Sequence, residues 1–295
     1  EKRYKGTPLN IIEKINKKFS KKIVLNNVSF SVTTGEIVAL VGRNGSGKTT
    51  LLKILSGIYS KDSGEIEVEG VDNKNIRKQL IYIPDRFDYF KNSKIKKVCE
   101  FYKLAYENFD EQYFKTELEK IKLSQTSRLS ELSKGQLAIF SLILGISCRT
   151  KFILLDEPLD GIDVINTKKI VDYILDAQSD GVGLLISSHQ LNALENISDK
   201  VVYLDDGVGV SEEINKDEYS KYQLVYQEKI PAELRNNPDV RIISNIGRVY
   251  VVIMRGSYTA THDIIQDENL LQYDKLPIAL EDIFLLNSKG EDENV

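Results

Sequence analysis

The chain has 295 residues, 41% of them hydrophobic, enough to bury a full core and to build one large domain plus a smaller one. Its 44 acidic and 40 basic residues leave a formal net charge of -4, which argues against a nucleic-acid-binding protein, where a basic excess is usual. Cys99 and Cys148, the 2 cysteines, make no disulfide framework and lack a nearby His or Cys at metal-ligand spacing, so a reduced, intracellular protein is expected.

The opening EKRYKGTPLN is charged and lacks the apolar core of a secretory leader. LNIIEKI and VLNNVSFSV are β-branched and alternating, and EIVALV at 36–41 is a continuous apolar strand that runs into VGRNGSGKTT. TTLLKILSGI then reads as a helix. GEIEVEG at 64–70 alternates between glycines, as a hairpin or an edge strand does. From about 88 to 149 the pattern is charged, amphipathic and helical. LAIFSLILGIS at 137–147 is about half the length of a bilayer-spanning helix and reads as a buried one.

KFILLDEP returns to an apolar strand, GVGLLISSH at 181–189 gives another with a helix between them, and KVVYLDDG closes the series. Apolar strands separated by helices imply a parallel sheet covered on both faces by right-handed crossovers. Beyond about 212 the order becomes β-α-β-β-α, with helices around PAELRN and HDIIQDENLL, as in a small split-βαβ module. SKGEDENV reads as a frayed tail.

The glycine-rich run fits G-x-x-x-x-G-K-[ST] at Gly42, Gly47, Lys48 and Thr49. Its glycines let successive backbone N–H groups curl into a nest at a helix N-terminus, where Lys48 would reach β- and γ-phosphates and Thr49 would ligate magnesium. In FILLDEP, Asp156 falls at the carboxyl end of a buried strand, where open α/β sheets place their ligands. Glu157 follows it, placed to polarise a water. LSKGQ, Leu132 to Gln136, is weak by itself, since a serine N-cap explains it, but it stands shortly before that strand.

In order, GRNGSGKTT, LSKGQ, ILLDEP, LDGID and SSH resemble the nucleotide-binding subunit of an ABC transporter over roughly residues 9–210. The resemblance implies an α/β fold: a P-loop NTPase core with a parallel-rich sheet, an N-terminal antiparallel β-subdomain and a helical subdomain at about 88–149. A small C-terminal α+β module would occupy 211–290.

It also implies that ATP binds on Gly42, Asn44, Gly45, Ser46, Gly47, Lys48, Thr49 and Thr50, with Mg2+ on Thr49 and Asp156. Glu157 would be the catalytic base, His189 the switch histidine at the γ-phosphate, and Lys48 a charge-neutralising group. Phe19 falls where the family stacks an aromatic on adenine, with a plain core phenylalanine as the rival reading. Ser133 and Gly135 would bind the γ-phosphate held by a second ATPase subunit, alike or different, in a head-to-tail dimer. The segment Leu159 to Asp163 would touch that subunit. The partner implied is a transmembrane permease at the cytoplasmic face of the membrane, with no nucleic acid. The direction is export of a peptide or drug-like substrate, since Lys134 inside the signature and the terminal ALEDIFLLN are familiar from that branch.

Two departures and one charge cluster stand out. Asp85 occupies the place of a glutamine after LIYIP, where it can sit near the metal but adds negative charge beside the γ-phosphate; an acidic turn residue is the alternative. Leu137, Ile139 and Leu144 stand where many relatives carry arginines. Lys91, Lys94, Lys96 and Lys97 form a solvated face or a contact with a partner.

Overall fold

The apolar runs become the buried strands of one sheet. The computed structural model describes residues 8–68, 73–189, 194–205, 208–212, 218–279, 282–283 and 286. The expected terminal helix in ALEDIFLLN and the tail after it fall largely outside these. Contacts divide the chain into two units, residues 1–212 and 213–295.

The first unit opens with β1 (Pro8–Phe19) and β2 (Lys22–Thr33), a long antiparallel pair. Then come β3 (Ile37–Val41), α1 (Lys48–Leu55), β4 (Ser63–Ile66) and β5 (Leu80–Ile83). The helical stretch holds α2 (Ile95–Ala105), α3 (Glu111–Lys120) and α4 (Lys134–Ser147). It is followed by β6 (Phe152–Asp156), α5 (Val164–Ser179), β7 (Gly183–Ser188), β8 (Lys200–Asp205) and β9 (Val208–Glu212).

Six of these strands form a sheet in the order β5-β6-β7-β3-β8-β9. The first five run parallel, and β9 returns antiparallel at one edge. Every residue of β3, β6 and β7 is buried, as a sheet covered on both faces requires. A second sheet, β2-β1-β4, is antiparallel, so GEIEVEG supplies an edge strand. Its inward residues Ile12, Ile15, Leu25 and Val28 share one core with Leu40, Leu51, Leu154, Leu185 and Val202.

Helix α4 begins with a reciprocal cap. Ser133 Oγ accepts from the Gln136 amide at 3.2 Å, while Gln136 Oε1 accepts from the Ser133 amide at 3.0 Å. From Ile139 to Ser147 the helix is buried. Its apolar character has a packing reason: Phe140 meets Phe87 and Phe114 edge-on, and Gly145 lies against Ile83. No helix among the described residues is long and apolar enough to cross a membrane.

The second unit comprises β10 (Tyr219–Tyr226), α6 (Ala232–Arg235), β11 (Val240–Ile246), β12 (Val249–Arg255), α7 (Tyr258–Ile265) and β13 (Leu270–Leu276). Its four strands are antiparallel in the order β11-β12-β10-β13, around a core of Tyr222, Leu224, Tyr226, Val252 and Met254. The helix expected near HDIIQDENLL lies earlier. Ser257 Oγ caps it by accepting from the Ala260 amide, and an Asp267 turn, accepting from the Asn269 amide at 2.8 Å, frees the last residues to become a strand.

Phe140 is fully buried between two rings. Phe140→Ala is expected to lower unfolding stability by about 3–5 kcal/mol, read from denaturant titration.

Candidate functional site

Strand β3 ends at Val41, and the backbone turns through Gly42 to Gly47 before entering α1. A Cβ on Gly42 would lie 2.3 Å from the Leu204 carbonyl oxygen, so the loop can follow this path only without a side chain there. Gly47 has φ 107 and passes so near the Val24 carbonyl that a Cβ would lie 2.8 Å from it. It caps α1 without a side-chain hydrogen bond. The helix therefore offers its positive end and its first amides to a ligand.

Asn44 and Gly45 are exposed at the tip of the loop, Ser46 is buried, and Thr49 and Thr50 keep an accessible face. Lys48 points back into the curl. It is 6% exposed, and its Nζ donates to the Gly42 carbonyl at 2.7 Å. The same nitrogen lies 3.3 Å from Glu157 Oε1.

Strand β6 delivers the two acids. Asp156 is 4% exposed, and its Oδ1 accepts from Ser187 Oγ at 2.7 Å and from Thr49 Oγ1 at 3.1 Å. Oδ2 accepts from the Tyr82 hydroxyl at 2.9 Å. Burial, and then the charge of Asp156, pushes the Tyr82 hydroxyl well above the usual tyrosine range, so it stays a donor.

Glu157 holds a left-handed backbone, φ 49, a strained conformation of the kind stored at functional sites. Its amide donates to Ser187 Oγ at 3.0 Å. Its Oε2 accepts from the His189 amide at 3.1 Å and lies 2.8 Å from His189 Nδ1. The other ring nitrogen of His189 is 3.5 Å from Asp160.

Asp160 in turn meets Lys134 Nζ at 2.9 Å, and that contact holds its carboxyl below the ordinary range. A line of polar contacts thus runs from Lys48 through Glu157, His189 and Asp160 to Lys134 beside the Ser133 cap. Gly135 is buried where a Cβ would lie 2.4 Å from Asn166 Nδ2, so the start of α4 packs directly on the start of α5.

Asp85 lines one pocket with Lys134, Leu137, Asp156, Glu157 and Asp160. Its carboxylate is 3.5 Å from Arg86, and desolvation raises its pKa. Phe19 is 43% exposed, which leaves no room for the core reading; it meets Tyr59 edge-on and carries Lys17 Nζ above its ring. Lys91, Lys94, Lys96 and Lys97 are exposed. The structure thus gathers Lys48, Thr49, Asp156, Glu157 and His189 into direct contact. Tyr82 and Ser187 were not foreseen. Tyr82 is the one hydroxyl of its apolar strand and Ser187 one of two serines that end another, and no local pattern marks the partner of either.

The donor set fits a hard divalent cation. Thr49 Oγ1 and Asp156 Oδ1, 3.1 Å apart, are hard oxygens of the kind such an ion takes alongside phosphates. No group of three or more His, Cys, Asp or Glu among the described residues could hold a metal.

A family model described as ABC transporter matches residues 25–160. The chain is similar to the ABC transporter ATP-binding protein YtrB of Bacillus subtilis, 28% identical over 288 residues, covering 95% of this chain and 98% of that one. It is 33% identical over 204 residues to the ABC transporter ATP-binding protein MJ1023 of Methanocaldococcus jannaschii, covering 68% and 75%. The lantibiotic transport ATP-binding protein SrtF of Streptococcus pyogenes is 29% identical over 209 residues, covering 66% and 86%. Proteins named for ribose and methionine import match as well. A solved ATP-binding subunit of an ABC transporter superposes with a TM-score of 0.62 at 24% identity, covering 70% of this chain and 90% of that one.

The depressed Asp160 carboxyl contributes stability that is present above 3.8, its ordinary pKa, and is lost as pH falls through its lower folded value. Asp160→Asn is expected to lower the unfolding temperature only slightly at neutral pH, because the pair is partly exposed, and the difference from wild type should shrink as pH drops below 3.8.

Proposed function

The chain belongs to the ATP-binding proteins of ABC transporters, and on that premise we propose that it hydrolyses ATP at an interface between two such subunits to drive export through a separate permease. Members of the family are ATPases that dimerise and work with transmembrane components. The observation that carries the reading is the cluster at the end of β6. The base candidate Glu157 touches the phosphate-loop cation Lys48 through one carboxylate oxygen and His189 through the other, beside the uncapped start of α1.

In the proposal, residues 9–210 are the ATPase and 211–290 an accessory module. The amides of Gly42 to Thr50 receive the phosphates, and Phe19 supplies an exposed ring for adenine. Thr49 and Asp156 would hold magnesium, with Asp85 a further oxygen in the pocket that Asp156 lines. When bound, that ion would supply positive charge against the charge of the phosphates.

Lys48 turns from Glu157 to the phosphates, which frees Oε1 to take a proton from water. His189 stays on Oε2 and orients the carboxylate. Ser133 and Gly135 face the γ-phosphate of the second subunit, so each site is built from two chains. Asp85 favours a second reading, a weakly catalytic subunit beside a more active one, because a carboxylate there opposes the γ-phosphate charge. Single-turnover hydrolysis by the purified chain separates the two.

The export direction rests on Lys134 in the signature, and likeness to a lantibiotic transport protein supports a peptide-type cargo. With the permease in inverted vesicles, cargo is expected to accumulate inside when ATP is added outside. ATP-driven depletion of loaded vesicles would instead make the system an importer.

General-base catalysis contributes about 10²- to 10⁴-fold. Glu157→Gln is therefore expected to cut phosphate release by about that factor, while ATP binding persists and the dimer stays closed on gel filtration. Turnover at the wild-type rate would refute the assignment.

A further inference from the structure

Strand β5 carries a tyrosine to which the mechanism gives no part. The parallel ladder sets Tyr82 beside Leu154, two residues before Asp156, so its ring lies along the end of β6. Its hydroxyl donates to Asp156 Oδ2 at 2.9 Å, while Ser187 and Thr49 occupy Oδ1. Three hydroxyls from β5, β7 and α1 therefore fix both oxygens of one buried carboxylate.

The three are not equivalent. Thr49 gives its hydrogen to Asp156 and keeps its oxygen lone pairs for the cation, so its hydroxyl serves both groups. Ser187 also accepts from the Glu157 amide at 3.0 Å and so serves the base as well as the metal acid. Tyr82 holds the oxygen that neither of the others touches. A carboxylate whose second oxygen is released can rotate about its last bond, and a hard cation bound through few protein ligands depends on that orientation.

We propose that Tyr82 is a positioning residue for the divalent cation, its hydroxyl holding the Asp156 carboxylate in the orientation that meets the ion. This rests on the reading of Thr49 and Asp156 as metal ligands. Partners of metal ligands are worth about 10- to 100-fold in metal affinity. Tyr82→Phe removes the hydroxyl and leaves the ring, so packing against β6 is kept.

The test uses the full chain saturated with ADP, with Mn2+ as probe followed by its electron paramagnetic resonance signal. Tyr82→Phe is expected to weaken Mn2+ binding about 10- to 100-fold. ADP affinity in EDTA should stay at its wild-type value, while the loss of one donor to a buried carboxylate should lower the unfolding temperature only modestly. Asp156→Asn is the reference and should weaken Mn2+ at least as much. If Asp156→Asn lowers Mn2+ affinity and Tyr82→Phe does not, the Tyr82 assignment falls and the metal reading stands. If Asp156→Asn binds Mn2+ as wild type does, both fall. Loss of ADP affinity in EDTA by Tyr82→Phe would also overturn the proposal, because the hydroxyl would then be shaping the site itself.

Discussion

A buried ammonium organises this site. Lys48 Nζ has left bulk water and is held by the Gly42 and Arg43 carbonyl oxygens at 2.7 and 3.3 Å and by Glu157 at 3.3 Å. An uncompensated buried charge is strongly destabilising, so the carbonyls have to curl inward and the carboxylate has to stand opposite. The close passage of Gly42 past Leu204 and of Gly47 past Val24 is the steric condition for that curl. Proposed phosphate binding uses the same arrangement. The loop that turns two carbonyls toward the lysine leaves the start of α1 uncapped, and a triphosphate would replace Glu157 as the counter-ion.

Glu157, the proposed base, is held from three sides. Ser187 fixes its amide, His189 its outer oxygen and Lys48 its inner one. That restraint explains how a non-glycine residue persists at φ 49. Beyond His189 the line continues to Asp160 and Lys134, both partly exposed. Exposed ion pairs contribute little to stability. Their value lies in orientation, since they join the signature end of α4 to the segment after β6, and the packing of Gly135 on Asn166 joins it a second time.

Much of this was legible because chemistry and periodicity coincide in the sequence. Continuous apolar runs marked the parallel strands, and glycines before a lysine marked the loop, since few other needs place them there. The hydroxyls of Tyr82 and Ser187 were not legible. Tyr82 lies 74 positions from Asp156, and only the β5–β6 pairing brings them together. The antiparallel return of β9 and the last strand of the second unit were missed for a related reason. Short alternating segments near turns take their state from sheet neighbours. Phe19 was ambiguous because its exposure depends on where β1 ends.

In the proposed cycle Lys48 exchanges Glu157 for phosphate, and a crystal structure with a non-hydrolysable ATP analogue and magnesium would show it. The β- and γ-phosphate oxygens are expected within hydrogen-bond distance of Lys48 Nζ, with Glu157 Oε1 released toward a water. A nucleotide bound elsewhere, or an analogue in the loop with the Lys48–Glu157 contact still closed, would contradict it.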